Sequence, residues 1–369
     1  MCISHQDYRL SEENVKLLGK CYSVDVSDSR ITDNQMKYLK DCIKLNLRNT
    51  EVSDKGIKDL EKCEVLDVRG TKVTPNVTIY LNLKSLRINN NYLNDQLLNI
   101  MSKYTVLDIS KCAIKELEYF KCFKNFKGTR IYLDDCDFVT DSLLENFKNC
   151  HTVSICECKN ITDEGLKHLS ECHTVELEKC VQITDKGVKY LKKCYKLNLS
   201  GCTITDDSVK ELINCKVLNF KTCKDLTIQS LKLLGRCKEI ALPNNVTNDV
   251  LKYLVNCETL DLSGCMAITD YGIYDLSECK KLNLANLYIT GSCFSALRKC
   301  EWLSLYFCRE IYLDNFRYLT NVKYLDIRRV EYFNEHYFRY MQNCKTVLLH
   351  PNQERYVEYL KMLGIGVRF

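Results

Sequence analysis

The residues best suited to chemistry crowd into one short stretch. Between positions 151 and 173 lie His151, Cys156, Cys158, His168, Cys172 and His173, donor types that bind zinc. A cysteine beside a histidine base is also the minimum equipment of a thiol nucleophile. The 24 cysteines of this 369-residue chain would equally suit a disulfide framework. Their spacing decides among these readings. Twelve cysteines lie three residues before a short apolar-x-apolar segment, among them Cys150, Cys172 and Cys194. Eight more lie five residues after such a segment begins, among them Cys158, Cys180 and Cys202. Cysteines in step with a structural period read as core positions, where a free thiol behaves as a small hydrophobe. In the 151–173 stretch only Cys156 falls outside the columns, and it is expected to face outward with a free thiol. The pair Cys156-x-Cys158 lacks the spacing of a zinc pair. No metal, cofactor or catalytic group is therefore expected, and the six histidines read as surface or edge residues.

The elements that place these columns recur along the whole chain. Apolar strands are predicted to begin at Val24, Leu45, Leu66, Leu86, Leu107, Ile131, Val153 and Val175. They continue at Leu197, Leu218, Ile240, Leu260, Leu282, Leu303, Leu325 and Val347, spaced by 20 to 24 residues. That period lies within the leucine-rich-repeat window. In Leu197-Asn198-Leu199, alternation turns both leucines inward and Asn198 outward. Ile204 then returns to the core, and Thr205 or Asp206 is placed to cap a helix whose Val209, Leu212 and Cys215 form one apolar stripe. A helix of about eight residues is too short to stand alone, so neighbouring units must share a core. The fold class is accordingly α/β, a leucine-rich-repeat solenoid or horseshoe with a parallel sheet on the concave face and short helices on the convex face. Residues 1–20, with Ile3 and a helix at Ser11–Gly19, make a partial N-terminal repeat. About sixteen repeats fill 21–350. Residues 351–369 form a C-terminal cap with a truncated strand carrying Met362, Ile365 and Val367. The longest interval, Leu107 to Ile131, is read as a longer helix around Phe120, Phe123 and Phe126.

The phrase C-x2-L-x-L-x2-C-x(1–2)-I-T-D, seen as CHTVELEKCVQITDKGVKYLKKC from Cys172, resembles the cysteine-containing leucine-rich-repeat subfamily. That subfamily occurs in F-box adaptors of ubiquitin ligases and in relatives without an F-box. The resemblance spans essentially the whole chain, is strongest from Cys150 to Cys279, and weakens at Leu83, Tyr104 and Gly128. No separate F-box-like module is visible, so the resemblance implies the recognition half of such an adaptor. It implies a substrate receptor in ubiquitin signalling. A stoichiometric enzyme inhibitor, as the ribonuclease inhibitor is, stands as an architectural alternative.

Composition narrows the remaining classes. A net charge of +5 from scattered Lys and Arg makes no nucleic-acid footprint. No apolar run reaches the roughly 18 residues that span a bilayer, and Met1–Leu10 has no apolar h-region. A cytoplasmic, monomeric protein with reduced thiols is expected, so disulfides and glycosylation at Asn76, Asn160, Asn198 and Asn245 are not. The expected activity is protein binding on the concave face, without catalysis. Outward strand positions are mostly small or polar until the last repeats, which present Trp302, Tyr306, Phe307, Tyr324, Arg328, Leu348 and His350. Arg130 and Tyr132 stand out earlier. Trp, Tyr and Arg dominate binding hot spots. Two readings of the late cluster stand: a partner surface, or a seat for the tail Gln353–Phe369.

Overall fold

The computed structural model describes residues 10–78, 80–89, 100–113, 123–124, 126–330 and 333–369. It divides into two compact units, Met1–Gln182 and Ile183–Phe369. The first holds strands β1 (Ser23–Asp25), β2 (Lys44–Asn46), β3 (Val65–Asp67), β4 (Ser85–Arg87), β5 (Val106–Asp108), β6 (Arg130–Tyr132), β7 (Thr152–Ser154) and β8 (Thr174–Glu176). The second holds β9 (Lys196–Asn198), β10 (Val217–Asn219), β11 (Glu239–Ala241), β12 (Thr259–Asp261) and β13 (Lys281–Asn283). It continues with β14 (Trp302–Ser304), β15 (Tyr324–Asp326), β16 (Thr346–Leu348) and β17 (Gly366–Arg368). Within each unit every strand pairs in parallel with the next in sequence, in strict one-repeat register such as Leu218↔Leu197 and Leu325↔Val347. Each of the sixteen residues expected to lead a strand is the central, inward residue of one. Ile3 and Phe120 lie outside the described residues, as does most of the helix expected before Ile131.

A three-residue strand is held by what surrounds it. In the repeat of β9, Leu197, Leu199, Ile204, Val209 and Leu212 are all buried. Gly201 turns the chain with φ 73, and the residue three after the strand takes the same left-handed conformation in most repeats. Its N–H then donates to the next repeat, as Gly201 does to Lys221 O at 3.0 Å. Thr205 caps the helix Asp206–Glu211 by accepting from the Asp207 N–H at 3.3 Å. Asp206 reaches into the following repeat, where it accepts from the Thr227 N–H (2.8 Å) and the Thr227 and Ser230 hydroxyls. Asp185 does the same for Thr205 and Ser208, Asp33 for Ser53, Asp141 for Thr162 and Asp270 for Thr290. The Thr-Asp dipeptide thus divides its work, threonine capping its own helix and aspartate fastening the next one.

The helices are shorter than the expected eight residues. A typical repeat makes one α turn, Asp163–Leu166, which tightens into a 3-10 turn at Lys167–Leu169. The later repeats use 3-10 turns alone, at Ser292–Ala296, Leu313–Tyr318 and Glu335–Tyr340. These turns carry a phenylalanine column of Phe294, Phe316 and Phe338; Phe294 and Phe316 meet edge-to-face at 5.9 Å, and Phe333, just before the third turn, packs on Phe316 at 5.0 Å and Phe338 at 4.7 Å. The tail adds one further repeat. Tyr356 is buried against the Phe333 carbonyl, and the Gln353 amide donates to Ile327 O (3.2 Å) and Val330 O (3.3 Å). In the final repeat Ile365 is buried but Met362 is 82% exposed, because Leu360 takes the inward place expected of it.

Neighbouring hydrogen bonds hold the Asp185 and Asp206 carboxyls below the usual carboxylate range, against the opposing effect of partial burial. A depressed folded pKa contributes stability above the unfolded value of about 4 and loses it as pH falls through the folded value. Asp185→Asn is therefore expected to flatten the loss of denaturation midpoint on acidification below about pH 4. Asp185→Ala should cost about 1–3 kcal/mol at neutral pH by orphaning the Thr205 and Ser208 donors. Equal acid profiles for wild type and Asp185→Asn would contradict this.

Candidate functional site: the open face of the second unit

The cysteines settle first, because they carry the chemistry suspected from sequence. Cys150, Cys158, Cys172, Cys180, Cys194 and Cys202 are buried, and all the described cysteines are free thiols. The second column donates backward to the preceding repeat, Cys180 to Ile155 O at 3.0 Å and Cys158 to Leu133 O at 3.3 Å. Cys223 to Leu199 O (3.1 Å) and Cys308 to Leu284 O (3.0 Å) follow the same rule. Burial pushes Cys150 and Cys158 up to about 12, and Cys172 and Cys180 up to about 11. Cys156 differs from expectation. It lies outside the core, but it is half-buried against Ser154 and Asp134, and burial raises its pKa as well. His151 and His173 stack at 4.3 Å beside their strands, both exposed, and no group of three or more potential metal ligands gathers among the described residues.

The face of the sheet turned away from the helices presents three rows of outward side chains in each unit. In the second unit the first row reads Thr259, Lys281, Trp302, Tyr324 and Thr346 on successive strands. The second row reads Asp261, Asn283, Ser304, Asp326, Leu348 and Arg368. Two residues beyond each strand, Tyr306 and Arg328 continue into a third. Trp302 is half-buried and Tyr324 is 42% exposed, side by side on paired strands. Trp302 walls an open concavity of about 360 Å³, together with Thr259, Leu260, Asp261, Lys281 and Asn283. Arg328 is clamped by Asp326, with Nε at 2.9 Å and Nη2 at 2.7 Å, and its guanidinium lies 5.3 Å from the Tyr306 ring centroid. The Ser304 hydroxyl donates to Asp326 Oδ2, the oxygen that Arg328 Nη2 also holds, at 3.3 Å.

Phe307 occupies the left-handed turn column, at φ 59, which other repeats fill with Gly, Asn, Asp, Lys, Glu, Thr or Arg. A bulky residue there costs about 1–2 kcal/mol. Arg309 lies over its ring at 4.1 Å, and Tyr306 is its neighbour at 6.1 Å. Among the described repeats Phe307 is the one aromatic side chain in that column, and it stands beside Tyr306.

The other predicted site residues separate. Leu348 is half-buried in the second row of β16. His350 is occupied structurally: its ring Nδ1 accepts from the Asn352 N–H at 3.3 Å, and its backbone N–H donates to Gln353 Oε1 at 2.8 Å, starting the final turn. Arg130 and Tyr132 lie on β6 in the first unit, where Arg130 is exposed and Tyr132 faces the Arg87 guanidinium at 5.8 Å. Sequence reasoning missed two features. Arg69 ties Asp67 (2.7 Å) to Asp108 (3.1 Å) across the open face of the first unit. Lys281 stands in line with Trp302, visible only once the repeats are aligned row by row.

Where burial raises a column thiol to about 11 or above, as at Cys158, Cys172 and Cys180, its thiolate fraction at pH 8 is roughly one in a thousand or less. Alkylation at pH 8 is expected to leave these three thiols unmodified in the folded protein and to label all 24 cysteines once it is denatured. Rapid labelling of Cys158 or Cys180 in the native state, read by peptide mass spectrometry, would contradict their placement.

Comparisons with known proteins agree with this geometry. A family model described as Leucine Rich repeat matches residues 196–212, the repeat of β9. No curated protein matches the sequence. Among solved structures, the internalin InlF of Listeria monocytogenes is 18% identical, with a TM-score of 0.51 over 80% of this chain and 88% of that one. The TLR13–ssRNA13 complex gives 19% identity and a TM-score of 0.55 over 90% of this chain, which spans 56% of that one. The Rad7–Elc1 complex of yeast gives 16% identity and a TM-score of 0.50, covering 93% and 84%. At these identities the likeness is one of fold, and by fold this chain is a leucine-rich-repeat protein.

Proposed function

We propose that the chain is a non-catalytic protein-binding scaffold whose working surface is the open face of β13–β16. The observation that carries this reading is the register of the second unit. It sets Trp302 beside Tyr324 on paired strands, with Phe307 held in a left-handed turn on the same repeat as Trp302. Partly exposed aromatics clustered beside arginine are the composition of binding hot spots. The mostly small, polar outward positions elsewhere leave this cluster as the distinctive part of the face. The tail continues the repeat stack beyond β16, which supports the partner-surface reading over the seat reading. A substrate-receptor role in ubiquitin signalling is the finer form of the same proposal, supported by the resemblance of the repeats. Co-purification of cullin-complex subunits would support it, and their absence would count against it. A stoichiometric inhibitor of a basic enzyme is less well served, since Lys281, Arg328 and Arg368 lie on this face.

Trp302→Ala combined with Tyr324→Ala is expected to lower capture of bound protein more than tenfold, with the melting temperature unchanged because neither ring fills the core. Phe307→Gly should weaken capture while leaving the melting temperature the same or higher, since glycine accepts the left-handed turn without strain. Undiminished capture by both variants, measured by quantitative mass spectrometry of affinity-purified complexes, would overturn the proposal.

A further inference from the structure

The charges around the aromatic cluster are unevenly matched. On the open face of β12–β17 the carboxylates are Asp261 and Asp326, and each already has a cation. Lys221 pairs with Asp261 at 3.3 Å, and Arg328 grips Asp326 at 2.7 Å. Two cations on the same face have no such partner among the described residues: Lys281, next to Trp302 in the first row, and Arg368, next to Leu348 in the second. The exposed aromatics lie between these two unanswered positive charges. Lys281 is on β13 and Arg368 on β17, four strand spacings apart. At about 4.8 Å each, that is roughly 19 Å, the reach of about six residues of extended chain at ~3.3 Å per residue.

Resting on the scaffold reading above, we infer that this face takes an extended acidic peptide segment of a partner protein. An aromatic or large aliphatic side chain of the segment packs on Trp302 and Tyr324. One carboxylate lies about two residues to one side, against Lys281. Another lies about four residues to the other side, within reach of Arg368. Asp326 and Asp261 stay neutralised by their own partners, so the face presents net positive charge to the acidic flanks.

The test uses the full chain and fluorescein-labelled twelve-residue peptides followed by anisotropy. Each has a central Phe with Glu two residues to one side and four to the other, in both sequence orders. Controls replace both Glu by Lys, or the Phe by Ala. The Glu peptide in one order is expected to bind at least about tenfold more tightly than its Lys counterpart. Replacing Phe by Ala should cost a similar factor, and Lys281→Glu with Arg368→Glu should reverse the charge preference. Equal binding of Glu and Lys peptides, or a preference that survives the double reversal, overturns the inference. So does the absence of any peptide binding. In each of these cases the scaffold reading still stands if Trp302→Ala with Tyr324→Ala loses its captured partner.

Discussion

The structure depends on one repeated constraint: the polar groups of each repeat are satisfied by its neighbour. A strand of three residues and a helix of one or two turns cannot persist alone. The aspartate of one repeat accepts from the threonine N–H and hydroxyl of the next, and the thiol of one repeat donates to the carbonyl of the one before. The left-handed turn residue extends the strand ladder by a further bond, as Glu157 does to Glu178 O at 2.7 Å. These three contacts set the register that the leucines then bury. Stability in such a fold is approximately a sum over repeats and their junctions.

The same constraint explains the cysteines. A donor is needed at the position where the chain leaves the strand and enters the core, and the space is small. A thiol fills it, donates weakly and loses little on burial, since it is a poor acid in an apolar setting. Reactivity is the cost of that placement: a buried thiol with a raised pKa is a poor nucleophile and a poor metal ligand.

Much of this was legible in the sequence because it is periodic. The sixteen strand positions, the inward leucines and the two cysteine columns follow from spacing alone, and the structure places them as expected. Single, non-periodic features were less legible. The half-burial of Cys156 depends on Ser154 beside it and on Asp134 one repeat away, and no local pattern announces the second. Met362 reads as a strand lead-in yet is exposed, because it ends the helix Val357–Met362, whose inward place is taken by Leu360. His350 reads as an outward histidine but serves as a helix cap, a role fixed by Pro351 and Gln353 after it. The candidate surface was half legible. The aromatic residues stand out by type, whereas Lys281 and the strained turn at Phe307 emerge only from register and backbone geometry.

The central claim is that partners are held on the open face of the second unit, at the aromatic cluster. Site-specific photocrosslinking tests it most directly, with a photoreactive phenylalanine analogue placed at Tyr324 or at Tyr271, a residue 80% exposed on the helix Asp270–Ile273. The account predicts a discrete crosslinked partner from position 324 and none from 271. Crosslinks from 271 with none from 324 would place binding on the helical side and contradict it.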